Sequence, residues 1–303
     1  MYAASVTPDH QCVPKPIHPS SNRIILDCHC HVGPGDGLTG PWDTRAPLAD
    51  HMARAGAAGI TRTVLFAAFH SDYAAANRAV ARVVAARPDR FWGFAFVHAR
   101  RDAGRVGAMV REAVLVHGFR GIKLHRHDAR ITREVCEVAR AWRLPVLYDP
   151  MGEVTTVDLV AGEYPGVRFI VPHLGSFADD WRAQRACIDI VVRHKNVFAD
   201  SSGVRRFDLL EEAVRRAGAR KLLFGSDGPW LHPGVELAKI EALGLGAADR
   251  ARVLGLNLLG LLGPARRPRA GTVGRAPPHL SGVMDVAADR VTDPWDPAAL
   301  AAG

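Results

Sequence analysis

The run Asp27-Cys28-His29-Cys30-His31 sets two histidines and an aspartate at the end of a short apolar stretch. Side chains of an extended strand alternate between faces, so His29 and His31 project from the same side, about 6 to 7 Å apart. Two imidazoles so spaced can converge on one divalent ion, although a pair of half-buried histidines at a strand terminus has the same spacing. Gly33-Pro34-Gly35 directly after them is expected to stop the strand. Further along, Lys123 and His125, Asp149, His173, Asp200 and Asp227 close other short β-like runs. These side chains bind metals, move protons or hold anions, and their spread over separate strand ends argues for one site. Cys28 and Cys30 alternate with the histidines and read as core residues facing away from them.

The elements that must carry these residues form a repeating pattern. β-like runs fall near 24–30, 61–67, 91–97, 119–124, 144–149, 167–173, 196–200 and 221–226, each followed by a helix-like amphipathic stretch. Alternating strands and helices make an α/β protein with a parallel sheet, and eight such units predict a (β/α)8 TIM barrel. In that barrel the C-terminal strand ends share one mouth, where the polar residues above would meet. The rival architecture is an open doubly wound sheet, which calls for a nucleotide-binding glycine turn after the first strand. Gly33-Pro34-Gly35-Asp36-Gly37 is glycine-rich, but its proline and the preceding histidines argue against a phosphate cradle. Thr44 is expected to cap a helix starting near Pro47, and Gly59 and Gly118 to follow helix ends.

The barrel is assigned to residues 23–263 as a single domain, with a flexible segment at 1–22 and a Pro/Ala/Arg-rich tail at 264–303. Trp295 in that tail could dock on the barrel or on a second subunit. The 303 residues are 48% hydrophobic, ordinary for a globular enzyme, and no apolar run approaches a membrane span. No secretory signal precedes the first strand and the five cysteines are scattered, so a reducing, cytoplasmic setting is expected. The formal charge of +8 comes from basic residues spread along the chain, which excludes a nucleic-acid stripe and weakly favours anionic small molecules. A homodimer is the expected assembly, dimers being the commonest symmetric one.

Three motifs in order carry a family resemblance: Asp27-x-His29-x-His31, Ile170-Val171-Pro172-His173-Leu174-Gly175, and Leu223-Phe224-Gly225-Ser226-Asp227-Gly228-Pro229. Together with the closing run from Val253 to Leu262, they resemble the amidohydrolase superfamily, in its amidohydrolase-related (amidohydrolase 2) group of hydrolases, lactonases and metal-dependent decarboxylases. The resemblance implies His29, His31 and Asp227 as metal ligands, with Asp227 also the general base and His173 polarising substrate or shuttling a proton. It implies one divalent metal, zinc first and manganese second. The sequence departs from the pattern where relatives carry a histidine ligand, since Asp149 stands there, either as an oxygen ligand or as a substrate-facing or structural carboxylate.

Lys123, with His125 and Arg126, is expected to hold a substrate carboxylate; some relatives instead carbamylate a lysine at that place. His70, His98, Tyr73, Trp230 and His232 are further candidates for shaping the pocket, and Arg126, His127 and Arg205-Arg206 for reinforcing that anion preference. The expected function is metal-dependent hydrolysis of a small, carboxylate-bearing ester, lactone or amide by metal-activated water. The alternatives are nonoxidative decarboxylation of an aromatic or unsaturated acid, and a non-catalytic barrel with a degenerate metal site.

Overall fold

The computed structural model describes residues 24–36, 45–177 and 180–263. The expectations for the two terminal segments, Trp295 and the Thr44 cap lie outside these residues.

The chain begins with β1 (Leu26–Pro34), the two-residue β2 (Arg45–Ala46) and α1 (Leu48–Ala57). Strand and helix then alternate through β3 (Arg62–Ala67), α2 (Tyr73–Ala86), β4 (Phe91–Phe96), α3 (Val106–Leu115), β5 (Gly121–His125) and α4 (Arg133–Trp142). The pattern continues with β6 (Val146–Asp149), α5 (Thr155–Glu163), β7 (Phe169–Val171), α6 (Trp181–Arg193), β8 (Val197–Asp200), α7 (Phe207–Ala217), β9 (Leu222–Leu223) and α8 (Pro233–Ala242). A final helical stretch runs through Ala247–Ala251 and Asn257–Leu262.

Among the described residues the sheet has nine strands, and β2 is an antiparallel spur on the end of β1. The others are parallel in chain order, as the β/α repeat predicts. The segment after β9 closes the ring on β1: Cys28 N–H donates to the Phe224 carbonyl at 3.1 Å and His31 N–H to the Gly228 carbonyl at 2.7 Å. The (β/α)8 barrel is therefore the observed fold.

Two apolar layers hold it. Val64, Phe66, Phe94, Leu147 and Ile170 fill the barrel interior, while Leu65, Ile122, Val135 and Ile188 belong to the layer that includes the outer helices. Gly93 and Gly121 are tight points of the wall, because a Cβ at Gly121 would lie 2.4 Å from the Phe94 ring. Gly59 and Gly118 follow α1 and α3 with φ of +76° and +69°, the left-handed conformation expected of glycine at a helix end.

β1 ends at Pro34, inside Gly33-Pro34-Gly35 as expected, with Gly33 and Pro34 paired to Ala46 and Arg45 of the spur. One local expectation changes: strict alternation fails in β1, where a register shift lies between Asp27 and Cys30. That bulge puts Cys28 in the interior layer and Cys30 in the outer one, both fully buried.

Candidate metal centre

β1 delivers His29 and His31 to the mouth of the barrel, with their ring centroids 5.5 Å apart. Each imidazole is fixed through Nδ1. His29 Nδ1 lies 2.9 Å from Asp200 Oδ2 at the end of β8, and His31 Nδ1 lies 2.9 Å from the Ala67 carbonyl at the end of β3. A carbonyl or carboxylate oxygen only accepts, so in both rings Nδ1 carries the proton and Nε2 keeps its lone pair. Burial, reinforced by the Lys123 charge, pushes the His29 pKa down to about 3 and the His31 pKa well below its usual value. Both rings are neutral, which is the form that binds metals.

Asp227 faces them from the loop after β9. Its Oδ1 is 3.2 Å from His29 Nε2 and 3.8 Å from His31 Nε2. One donor atom from each of the three residues lies within 4.8 Å of the other two, and all three residues are buried. His29 Nε2 has no hydrogen-bond partner despite its burial. An orphaned imidazole lone pair beside a second one and a carboxylate fits a divalent cation, which would satisfy all three. The backbone of Asp227 is left-handed, φ +52°, as is that of His173, φ +58°. Such conformations are uncommon outside glycine and cluster at functional sites.

The supports of this trio are buried as deeply as the trio itself. Asp200 Oδ1 accepts from Ser202 N–H at 2.9 Å and Ser202 Oγ–H at 2.5 Å, leaving Oδ2 for His29. Burial raises the Asp200 pKa, but His29, His173 and Ser202 outweigh it and bring it down to about 2. Asp27 joins β1 to the segment after β9, accepting from Ser226 N–H at 2.9 Å and Ser226 Oγ–H at 2.6 Å. Sequence reasoning placed Asp200 at a strand end without a task and overlooked Ser202. A carboxylate closing a strand near the histidine pair in the ring was the available signal.

His173 follows β7. Its Nδ1 is 2.7 Å from the Ser202 carbonyl, so Nδ1 carries a proton and Nε2 turns to the cavity, 3.6 Å from Asp149 Oδ2. Burial opposes the charged ring, yet Asp227, Asp149 and Asp200 together raise its pKa. Lys123 is fully buried in the middle of β5, with Nζ 4.8 Å from the Phe66 ring centroid and no hydrogen-bond partner. Burial lowers its pKa against the pull of Asp149, Asp227 and Asp200.

These groups open into one cavity of about 380 Å³. His29, His31, Asp227, Lys123, His125 and His173 supply its polar surface, and Phe69, Phe177, Trp230 and Leu231 its apolar walls. Trp230 lies over His31 with centroids 4.5 Å apart. Asp149 lines the cavity but stands outside the group of three donors. Arg126 pairs with Glu153 at 2.6 Å and does not line the cavity, whereas His127 does.

Other candidate pocket residues serve local structure. His98 Nδ1 accepts from Arg101 N–H at 3.0 Å in the turn after β4, and His232 Nδ1 from Gly234 N–H at 3.2 Å at the start of α8. His70 Nδ1 accepts from Asp72 N–H at 2.9 Å, and Tyr73 stacks on Phe96. Arg206 pairs with Asp208 at 2.6 Å.

The family model described as amidohydrolase matches residues 26–262, the whole barrel. The chain belongs to the amidohydrolase family. Solved structures agree on the fold. The 5-carboxyvanillate decarboxylase of Sphingomonas paucimobilis aligns with TM-score 0.64 at 13% identity, over 80% of this chain and 99% of that one. The 2,6-dihydroxybenzoate decarboxylase of Rhizobium gives 0.62 at 16% identity, over 80% and 99%. The dihydroxybenzoic acid decarboxylase of Polaromonas, crystallised with manganese and 2-nitroresorcinol, gives 0.64 at 17% identity, over 80% and 97%. No curated protein matches the sequence. Family membership, the barrel and the donor trio together make this amidohydrolase a metal-dependent enzyme. No helix among the described residues is long and apolar enough to cross a membrane.

Proposed function

We propose that this amidohydrolase is a nonoxidative, metal-dependent decarboxylase of a small aromatic or unsaturated acid. The observation that carries this reading is the composition of the cavity: three metal donors and the Lys123 ammonium, which has no hydrogen-bond partner, open beneath walls of Phe69, Phe177 and Trp230. Aromatic walls suit a flat, conjugated ring, and the cationic floor suits its carboxylate. Several barrels of the same fold are decarboxylases of hydroxylated or methoxylated benzoic acids, which supports this reading over the hydrolysis of an ester, lactone or amide.

The bound ion is expected to be held by His29, His31 and Asp227, a mixed nitrogen and oxygen set that suits manganese or zinc. When bound, it would supply positive charge that polarises and orients the oxygen atoms of the acid. Lys123 Nζ, without a hydrogen-bond partner in the protein, makes the charge-assisted contact to a substrate oxygen. Phe69 and Trp230 hold the ring and keep water from the reacting carbon. As the bond to the carboxylate breaks, carbon dioxide leaves and the electron pair stays on the ring carbon, which takes a proton. His173 in its imidazolium form, with Nδ1–H tied to the Ser202 carbonyl, would deliver that proton from Nε2–H and be left as the neutral ring.

The test is product analysis of the manganese-loaded enzyme with 2,6-dihydroxybenzoate and 5-carboxyvanillate in deuterated water. Carbon dioxide release with one deuterium at the vacated carbon is expected. An organic product that keeps its carboxylate and gains oxygen from water, when esters, lactones or amides are supplied, would make the enzyme a hydrolase.

A further inference from the structure

Asp149 closes β6 beside the metal donors, yet its carboxylate is already engaged by the protein. Oδ1 accepts from the Met151 backbone N–H at 2.8 Å. Oδ2 lies 3.0 Å from His125 Nε2 and 3.6 Å from His173 Nε2. The direction of the closer contact follows from the other side of the His125 ring. His127 N–H donates to His125 Nδ1 at 3.1 Å, so Nδ1 is bare and Nε2 carries the proton that Oδ2 accepts. One oxygen is thus taken by a backbone donor and the other by an imidazole donor. His29 Nε2, by contrast, is buried without any hydrogen bond.

Charge gives the same answer. Asp149 is one of three carboxylates acting on the buried Lys123 ammonium, and β5 and β6 pair in register so that His125 sits opposite Asp149. We infer that Asp149 is a positioning residue, fixing the His125 imidazole, facing that of His173 and balancing the Lys123 charge, and that it is not a ligand of the metal. The metal thus draws its protein donors from β1 and the loop after β9, while Asp149 organises the opposite wall.

This inference rests on the proposed decarboxylation only for its turnover arm. Metal-free wild type, Asp149→Asn and His29→Ala are titrated with manganese by calorimetry. The isosteric Asn keeps an oxygen for Met151 N–H and loses the anionic acceptor for His125. Its manganese Kd is expected to stay within about threefold of wild type, whereas loss of a ligand or its direct support costs about tenfold or more. On the decarboxylation substrate, Asp149→Asn is expected to lower kcat by about tenfold or more with KM within about twofold, the mark of a group that orients the chemistry. His125→Gln, which still offers an N–H to Oδ2, is expected to recover most of the kcat that His125→Ala loses.

A manganese Kd weakened by more than about tenfold in Asp149→Asn would make Asp149 a ligand and overturn the inference. Unchanged kcat in Asp149→Asn, or equal losses in the two His125 variants, would overturn it as well. If Asp149→Asn does not fold, the His125 pair and its manganese titration carry the test, with wild-type affinity expected in both. Absence of turnover in the wild type would contradict the decarboxylase reading and leave the calorimetry to decide this one.

Discussion

Asp227→Asn is expected to lower kcat by about a thousandfold or more, about 4 kcal/mol of transition-state stabilisation, while the barrel stays folded. Asp227 Oδ1 sits between His29 Nε2 and His31 Nε2 at 3.2 Å and 3.8 Å, so its charge belongs to the donor set itself. An amide of the same shape offers a neutral oxygen that ligates far more weakly. The backbone accepts the change, because Asn tolerates the left-handed φ of +52° as well as Asp does. The measurement is kcat under saturating manganese, with circular dichroism to verify the fold. Near-wild-type turnover would remove Asp227 from the mechanism.

Lys123→Met is expected to act on binding. Its Nζ is buried without a hydrogen-bond partner and opens to the same cavity as the metal donors. A hydrogen bond to a charged group contributes about 1.5 to 3 kcal/mol, so KM should rise by about 10- to 100-fold when the ammonium is lost. Methionine retains most of the length and apolar volume of the lysine side chain, which separates loss of charge from loss of packing. An unchanged KM, with the fold intact, would mean that the ammonium serves the protein's own carboxylates and does not meet the substrate.

Much of this architecture is legible in the residues because it depends on period and position along the chain. Alternating β-like and helical runs, Gly59 and Gly118 after their helices, and polar residues at strand ends are all local features, and the observed barrel reproduces them. What escaped is set by contacts between distant segments. Asp200 reaches His29 across 171 residues, and the carbonyls of Ala67 and Ser202 that orient His31 and His173 carry no side-chain signature. The bulge in β1, which separates Cys28 from Cys30, arises from pairing with β3, which alternation alone does not encode. Histidine also misled where it serves the backbone, as His98 and His232 do by accepting N–H bonds within their own turns. The choice between hydrolysis and decarboxylation is not written in the motifs, since both reactions use the same donors. The aromatic walls of the cavity, assembled from several loops, favour the second.

The central claim is that His29 and His31 hold a divalent ion together with Asp227, and metal analysis of protein purified without chelator tests it most directly. The account predicts about one manganese or zinc per wild-type chain and almost none in His29→Ala, with activity following the metal. A wild-type protein that turns over substrate while free of metal, or a His29→Ala variant that keeps its full complement, would contradict it.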